Sequence, residues 1–187
     1  MSARGTLRRH RFIGTAFSLS AVVALASSLS ACSSDGDDTA EKQYTVPTSL
    51  CGVDVDPAQV KALLPGGDSV SSTPSEPNGG TTRCDLSVDG RTALRLAQTW
   101  WSRGETATTV AEAYDGTDGG AASDDYRFVY AGKAGVGKVA ACTSSDHPEM
   151  ALFTIIQVLD SGIDDQAAMK RLITDYTKAV EQSAACE

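Results

Sequence analysis

Cys32 has one well-defined chemistry open to it, because Leu29-Ser30-Ala31 precedes it at the end of an apolar run that a basic leader introduces. This is the pattern of a bacterial lipobox, and it predicts a diacylglyceryl thioether on the Cys32 sulfur with cleavage just before that residue. The other cysteines, Cys51, Cys84, Cys142 and Cys186, form an even set. In an exported chain an even set predicts two disulfides. Of the three possible pairings, chain order favours Cys51–Cys84 and Cys142–Cys186, which tie each half of the folded part separately. Each closed loop contributes on the order of 3–4 kcal/mol in the chain-entropy account. A zinc site is the rival use of these sulfurs, but no two stand at knuckle spacing and His147 is the one histidine beyond the leader. No metal is expected.

The stretch Gly132-Lys133-Ala134-Gly135-Val136-Gly137-Lys138 satisfies G-x-x-x-x-G-K and invites a phosphate-binding reading. Val139 stands where the hydroxyl that holds magnesium is needed, and a second strand is expected where the motif requires a helix. The segment is therefore read as a glycine-rich turn between strands, with neither nucleotide nor other cofactor. A serine or cysteine nucleophile needs a base, and His147 lies in a polar turn before Pro148, with no G-x-S-x-G elbow in the chain. Paired carboxylates of the glycosidase kind remain open, although no spacing singles out a pair. No catalytic residue is assigned. Trp100-Trp101 is the apolar feature best suited to a ligand: strand alternation sends the two indoles to opposite faces, where they are either binding contacts or the rim of the core.

The elements that position these residues begin with the leader. Residues 1–31 have the layout of an export signal, with Arg4, Arg8, Arg9 and Arg11 ahead of an apolar stretch from Phe12 to about Ala26. That stretch is interrupted by Thr15, Ser18 and Ser20, and falls short of the roughly 20 apolar residues that span a bilayer. The Arg8-Arg9 pair leaves the export route open between the general and the twin-arginine pathways. Residues 32–46 read as a lipidated cysteine and an acidic spacer, in which Asp35, Asp37 and Asp38 make a solvated tether rather than a calcium loop. The chain has 16 basic and 24 acidic residues, and loss of the leader's four arginines takes the net charge from −8 to −12. Such a charge argues against nucleic acid as a partner.

Residues 47–187 are the length of one domain. Asp56-Pro57 starts a helix that runs through Val60, Leu63 and Leu64, with Gln59 as the reciprocal partner of a capping box and Pro65-Gly66-Gly67 as its stop. Ser69 to Gly80 reads as an exposed loop. Thr82–Val88 and Thr92–Trp101 alternate with period two around Asp89-Gly90, a type I′ hairpin. Glu105–Tyr114 reads as a second helix, Tyr126–Tyr130 as a strand with three aromatics on one face, and Lys138–Thr143 as another strand. Met150–Leu159, apolar on both faces, is the most buried strand. A third helix begins near Asp164-Asp165 and carries Met169, Leu172, Ile173, Tyr176 and Val180 as one stripe. The expected fold is α+β: a single domain with a mainly antiparallel sheet of about five strands, packed by two or three helices and tied by two disulfides.

Leu50-Cys51 ahead of a short helix, Arg83-Cys84-Asp85-Leu86 opening a strand, and Gly135-Val136-Gly137 before a strand resemble the actinobacterial secreted lipoproteins catalogued as domain of unknown function 3558. In this chain Asp85 follows Cys84, where an aromatic residue is associated with that pattern. The resemblance implies an envelope protein of unknown activity, anchored to the outer face of the cell membrane through Cys32, and it supplies no catalytic residues. A non-enzymatic module that binds a wall component or an envelope protein is the expected function. A wall-acting hydrolase using a carboxylate pair is the alternative.

Overall fold

The computed structural model describes residues 41–186, so the leader, the lipobox and Cys32 lie outside the described residues. Chain order is β1 (Ser49–Leu50), β2 (Val53–Asp54), α1 (Pro57–Ala62), β3 (Val70–Asn78), β4 (Thr81–Val88), β5 (Arg91–Ser102), α2 (Ala107–Ala111), β6 (Ala121–Ala122), β7 (Phe128–Tyr130), β8 (Ala134–Lys138), β9 (Met150–Val158), α3 (Gln166–Glu181) and a final 3-10 turn, Ala184–Cys186. The fold is α+β. Strands β1 and β2 make a small hairpin, and the rest form a seven-stranded antiparallel sheet in the order β3-β4-β5-β9-β8-β7-β6. Two meanders thus meet along β5 and β9. The connection through α2 carries the chain to the far edge, from which it returns strand by strand.

Seven strands replace the expected five because both edges were hidden in the composition. The Ser69–Gly80 stretch is not a loop: β3 runs through it, exposed along nearly all its length. Pro74 and Pro77 are tolerated there because an edge strand keeps only one ladder, and their missing N–H groups blunt the open side against pairing with another chain. At the opposite edge, β6 is two exposed alanines.

One sheet face carries Leu86, Leu94, Leu96, Leu152 and Ile156, and α3 lies across its β7-β8-β9 half. All five residues of the α3 stripe are buried. The helix starts where Asp165 caps it by accepting from the Ala168 N–H at 2.9 Å. It comes close to the sheet because β8 presents Gly135 and Gly137 beneath it: a Cβ at Gly135 would meet Ile173 at 3.1 Å, and one at Gly137 would meet the Thr177 hydroxyl at 2.2 Å. The G-x-x-x-x-G-K stretch is therefore mostly a strand, not a turn, and its glycines serve helix packing. The ladder ends at Lys138, so Lys138–Thr143 is not a strand, although the Val139 N–H still donates to Leu152 at 3.0 Å.

The remainder of this face is covered by the N-terminal segment. Tyr44 and Val46 are core residues, and Lys42 bridges to Gly67, so the folded part reaches into the stretch read as spacer. Asp56 caps α1 from Ala58 at 2.8 Å as expected, but Gln59 makes no capping box and donates instead to Asp175 on α3 at 2.8 Å. On the other sheet face, α2 covers Ala97, Val136, Phe153 and Ile155. That helix is shorter than the expected Glu105–Tyr114 span, with Thr106 as its cap. Tyr126 is not in strand β7: it stands at a turn with φ +56° and is 71% exposed, leaving two aromatics on that face rather than three. Asp89 and Gly90, at φ +48° and +77°, form the expected hairpin turn.

Candidate functional site

Beyond the edge of α3, the Thr82–Gln98 end of the β4–β5 face is left uncovered, while Leu86 and Leu94 farther along the same face are buried in a cluster with Val60 of α1. Side chains there alternate so that Thr82 and Cys84 on β4, and Leu96, Gln98 and Trp100 on β5, share one side. They floor a groove with a main cavity of about 610 Å³ and an outer one of about 280 Å³. Glu76, Thr82, Gln98 and Ala185 line both, so the two parts are one continuous cleft.

One disulfide lines the groove, and the other lies directly behind the Ala184–Ala185 wall. Cys51, in the turn between β1 and β2 with φ +49°, joins Cys84 on the floor with Cα atoms 5.9 Å apart. Cys186, in the final turn after α3, joins Cys142 with Cα atoms 4.7 Å apart. The pairs are those expected from chain order, and the sulfurs are thereby unavailable to zinc. The expectation that Cys142 sits in a strand fails, since β8 has ended by then. Cys142 belongs instead to the loop that carries His147, and its disulfide ties the final turn, a wall of the groove, to the loop that closes the outer end.

The deepest polar group is the Tyr176 hydroxyl, on a side chain only 3% exposed. It accepts from the Gln98 amide at 3.4 Å. Burial pushes the phenol up to about 12, against the smaller opposing effect of the Gln98 hydrogen bond. Tyr176 is therefore a neutral hydroxyl at any physiological pH. Among the described residues its own proton has no acceptor, and Gln98 likewise has a carbonyl oxygen to spare.

Of the two tryptophans, Trp100 lies at the outer end of the groove, half-buried, with the His147 ring stacked on it at 4.9 Å and 27° between planes. Trp101 packs on the opposite face beside Tyr114 against the α2 cluster. The opposite-face expectation is met, and both indoles sit at the rim of a core cluster. Burial raises the Tyr114 phenol as well, with the Thr99 hydroxyl, the Trp101 indole N–H and the nearby Arg83 charge opposing it.

Charge around the groove is one-sided. Glu76 and Asp146 line its outer part, and both are exposed. Arg83 borders the inner part from β4 but alternates to the other face, near Tyr114, where its Nε is buried with no hydrogen-bond partner. A neighbouring cation on that face, Arg95, is held by Asp85 in a two-point contact of 2.7 and 2.9 Å. Ser144 is tied into the backbone turn that carries His147: its carbonyl accepts from the His147 N–H and its hydroxyl from the Asp146 N–H. Among the described residues, no three His, Cys, Asp or Glu side chains group to hold a metal.

Sequence reasoning missed Gln98, Tyr176 and Glu76. No local pattern unites them, since they come from β5, α3 and the unrecognised β3. One signal was available for β3, because Asn78-Gly79 immediately before a period-two strand is a strong hairpin sequence. No family model matches this chain, and neither a curated protein nor a solved structure matches it.

Proposed function

We propose that the chain is a lipid-anchored protein of the outer membrane face, and that its folded part is a non-enzymatic binding module whose ligand occupies the groove between the two disulfides. The lipobox at Leu29–Cys32 supports the anchor, and the actinobacterial lipoprotein resemblance of Cys51, Cys84 and Gly135-Val136-Gly137 agrees with it. Two formed disulfides suit an oxidising, extracytoplasmic compartment. No helix among the described residues is long and apolar enough to cross a membrane. Two acyl chains hold far more firmly than one, at about 0.8 kcal/mol per buried methylene.

The observation that carries the binding reading is Tyr176: a buried hydroxyl with an unspent proton lines a cleft whose walls are cross-linked. A fixed concave site with apolar lining and a few convergent polar groups is what a small-ligand pocket requires. Hydrolysis has weaker support, because the carboxylates that approach the groove, Glu76 and Asp146, are both open to water, and among the described residues no hydrogen bond joins the His147 ring to Ser144 or another hydroxyl. Native mass spectrometry of the chain recovered from the membrane fraction tests the proposal. The wild type is expected to begin at a diacylglyceryl Cys32 and to carry a non-covalent species that Thr82→Trp, which fills the groove floor, does not carry. An uncleaved chain contradicts the anchor, and the same species on Thr82→Trp contradicts the groove.

A further inference from the structure

We infer that the ligand of the groove is an uncharged oligosaccharide of acetamido sugars, with an acetamido group seated on the Gln98–Tyr176 pair. The inference rests on the binding reading above and narrows it. Gln98 and Tyr176 touch at 3.4 Å and, among the described residues, leave one acceptor and one donor unspent side by side. A secondary amide is the group that fills both, its N–H donating to the Gln98 oxygen and its carbonyl accepting from the Tyr176 hydroxyl. Because Tyr176 is almost fully buried, a ligand lacking either function leaves a desolvated polar atom unpaired, which is the stronger source of discrimination.

Charge disfavours anions. The carboxylates of Glu76 and Asp146 line the groove, and Arg83, which borders the main cavity, alternates to the other face of β4 near Tyr114. A phosphate or uronate would meet repulsion from these two carboxylates, with the bordering Arg83 turned toward the other face. The floor also separates a sugar from a peptide. It is the face of β4 and β5, whose backbone groups are already spent on the ladders to their neighbours, so an extended peptide finds no edge to pair with on the floor, and at the β3 rim Pro74 and Pro77 each lack a donor. Side chains alone must do the recognition. They offer the exposed Cys51 end of the Cys51–Cys84 disulfide above the buried Leu96, and beyond Gln98 the half-buried Trp100 and His147, whose rings stack on each other and leave their edges and outer faces to a sugar ring.

Calorimetric titration of the detergent-solubilised full-length chain tests this with three probes: the β-1,4-linked tetramer of N-acetylglucosamine, the β-1,4-linked tetramer of glucose, and a tetra-alanine peptide blocked at both ends. The acetamido tetramer is expected to bind, the glucose tetramer at least about tenfold more weakly, and the peptide not measurably. Tyr176→Phe, which keeps the ring, is expected to weaken the acetamido tetramer by about tenfold, the scale of one lost hydrogen bond to a buried group. Gln98→Leu serves as a second variant should Tyr176→Phe lower stability, and Thr82→Trp is expected to abolish binding. Equal binding of the two sugars, tighter binding of the peptide, or binding indifferent to both Tyr176→Phe and Gln98→Leu overturns the inference. No binding of the acetamido tetramer also overturns it. In that event a membrane-derived species lost from Thr82→Trp leaves the groove reading standing, and its absence takes that reading down too.

Discussion

Thr82, Gln98 and Thr154 stand in one row across β4, β5 and β9, on the same face of the sheet, yet they meet different surroundings. Thr154 is fully buried under α3, where its hydroxyl meets that of Thr177 at 2.6 Å and Thr177 in turn donates to the Ile173 carbonyl. Thr82, two strands away, is exposed on the groove floor. The half-buried Gln98 between them marks the boundary. What separates the two halves is the neighbour each strand has. Glycines on β8 let a helix sink onto the sheet, whereas the Thr82 end of β4 has only the thin edge strand β3 beyond it, and α1, which joins the core cluster of Leu86 and Leu94, does not line the groove. Cross-links take the place of packing on that side, holding the β1–β2 turn and the final turn apart as walls.

The largest effect that follows lies under α3. Leu172 is 1% exposed within the main core cluster, so Leu172→Ala is expected to cost about 2–5 kcal/mol, as truncations do where a cavity cannot collapse. The thermal midpoint should fall by roughly 5–15 °C for a domain of this size. Thr82→Trp in the same assay should stay within about 0.5 kcal/mol of wild type, because it adds bulk to an open floor. A reversed order of the two variants breaks the comparison.

Much of the covered half was legible in the sequence. The α3 stripe, the Asp56 and Asp165 caps, the Asp89-Gly90 turn and the pairing of the cysteines all follow from local rules. The open half was not. Strand β3 has the Ser, Pro and Gly content of a loop because an exposed edge strand buries almost nothing, so no apolar alternation marks it. Gly135 and Gly137 read as a turn because a glycine's conformational freedom is visible in sequence, while its use as clearance for a helix is not. The groove itself is assembled from β3, β5, α3 and the His147 loop, and only the sheet order brings Glu76, Gln98 and Tyr176 together. Trp100 was legible as a candidate, since alternation alone fixed which way each indole points.

A smaller effect sharpens the boundary between the halves. With its pKa raised to about 12 from an ordinary 10.0, Tyr176 contributes stability that is fully present below pH 10 and is lost as pH rises through 12. The amount is about 2–3 kcal/mol, from two pK units at about 1.4 kcal/mol each. Urea midpoints at pH 9 and pH 12 should therefore fall further for wild type than for Tyr176→Phe. Parallel losses in the two proteins would mean that the phenol is reached by water and that the groove is deeper and wetter than described.

The central claim is that one row of this sheet face is sealed at Thr154 on β9 and open at Thr82 on β4, and thiol labelling of Thr82→Cys and Thr154→Cys in the otherwise native, oxidised chain tests it most directly. The account predicts that Cys at 82 reacts with a maleimide as fast as a free exposed thiol, and that Cys at 154 reacts at least about 100-fold more slowly, because it must await an opening of α3 that costs several kcal/mol. Equal rates at the two positions, or protection of 82 to the level of 154, would contradict the open groove and with it the binding site.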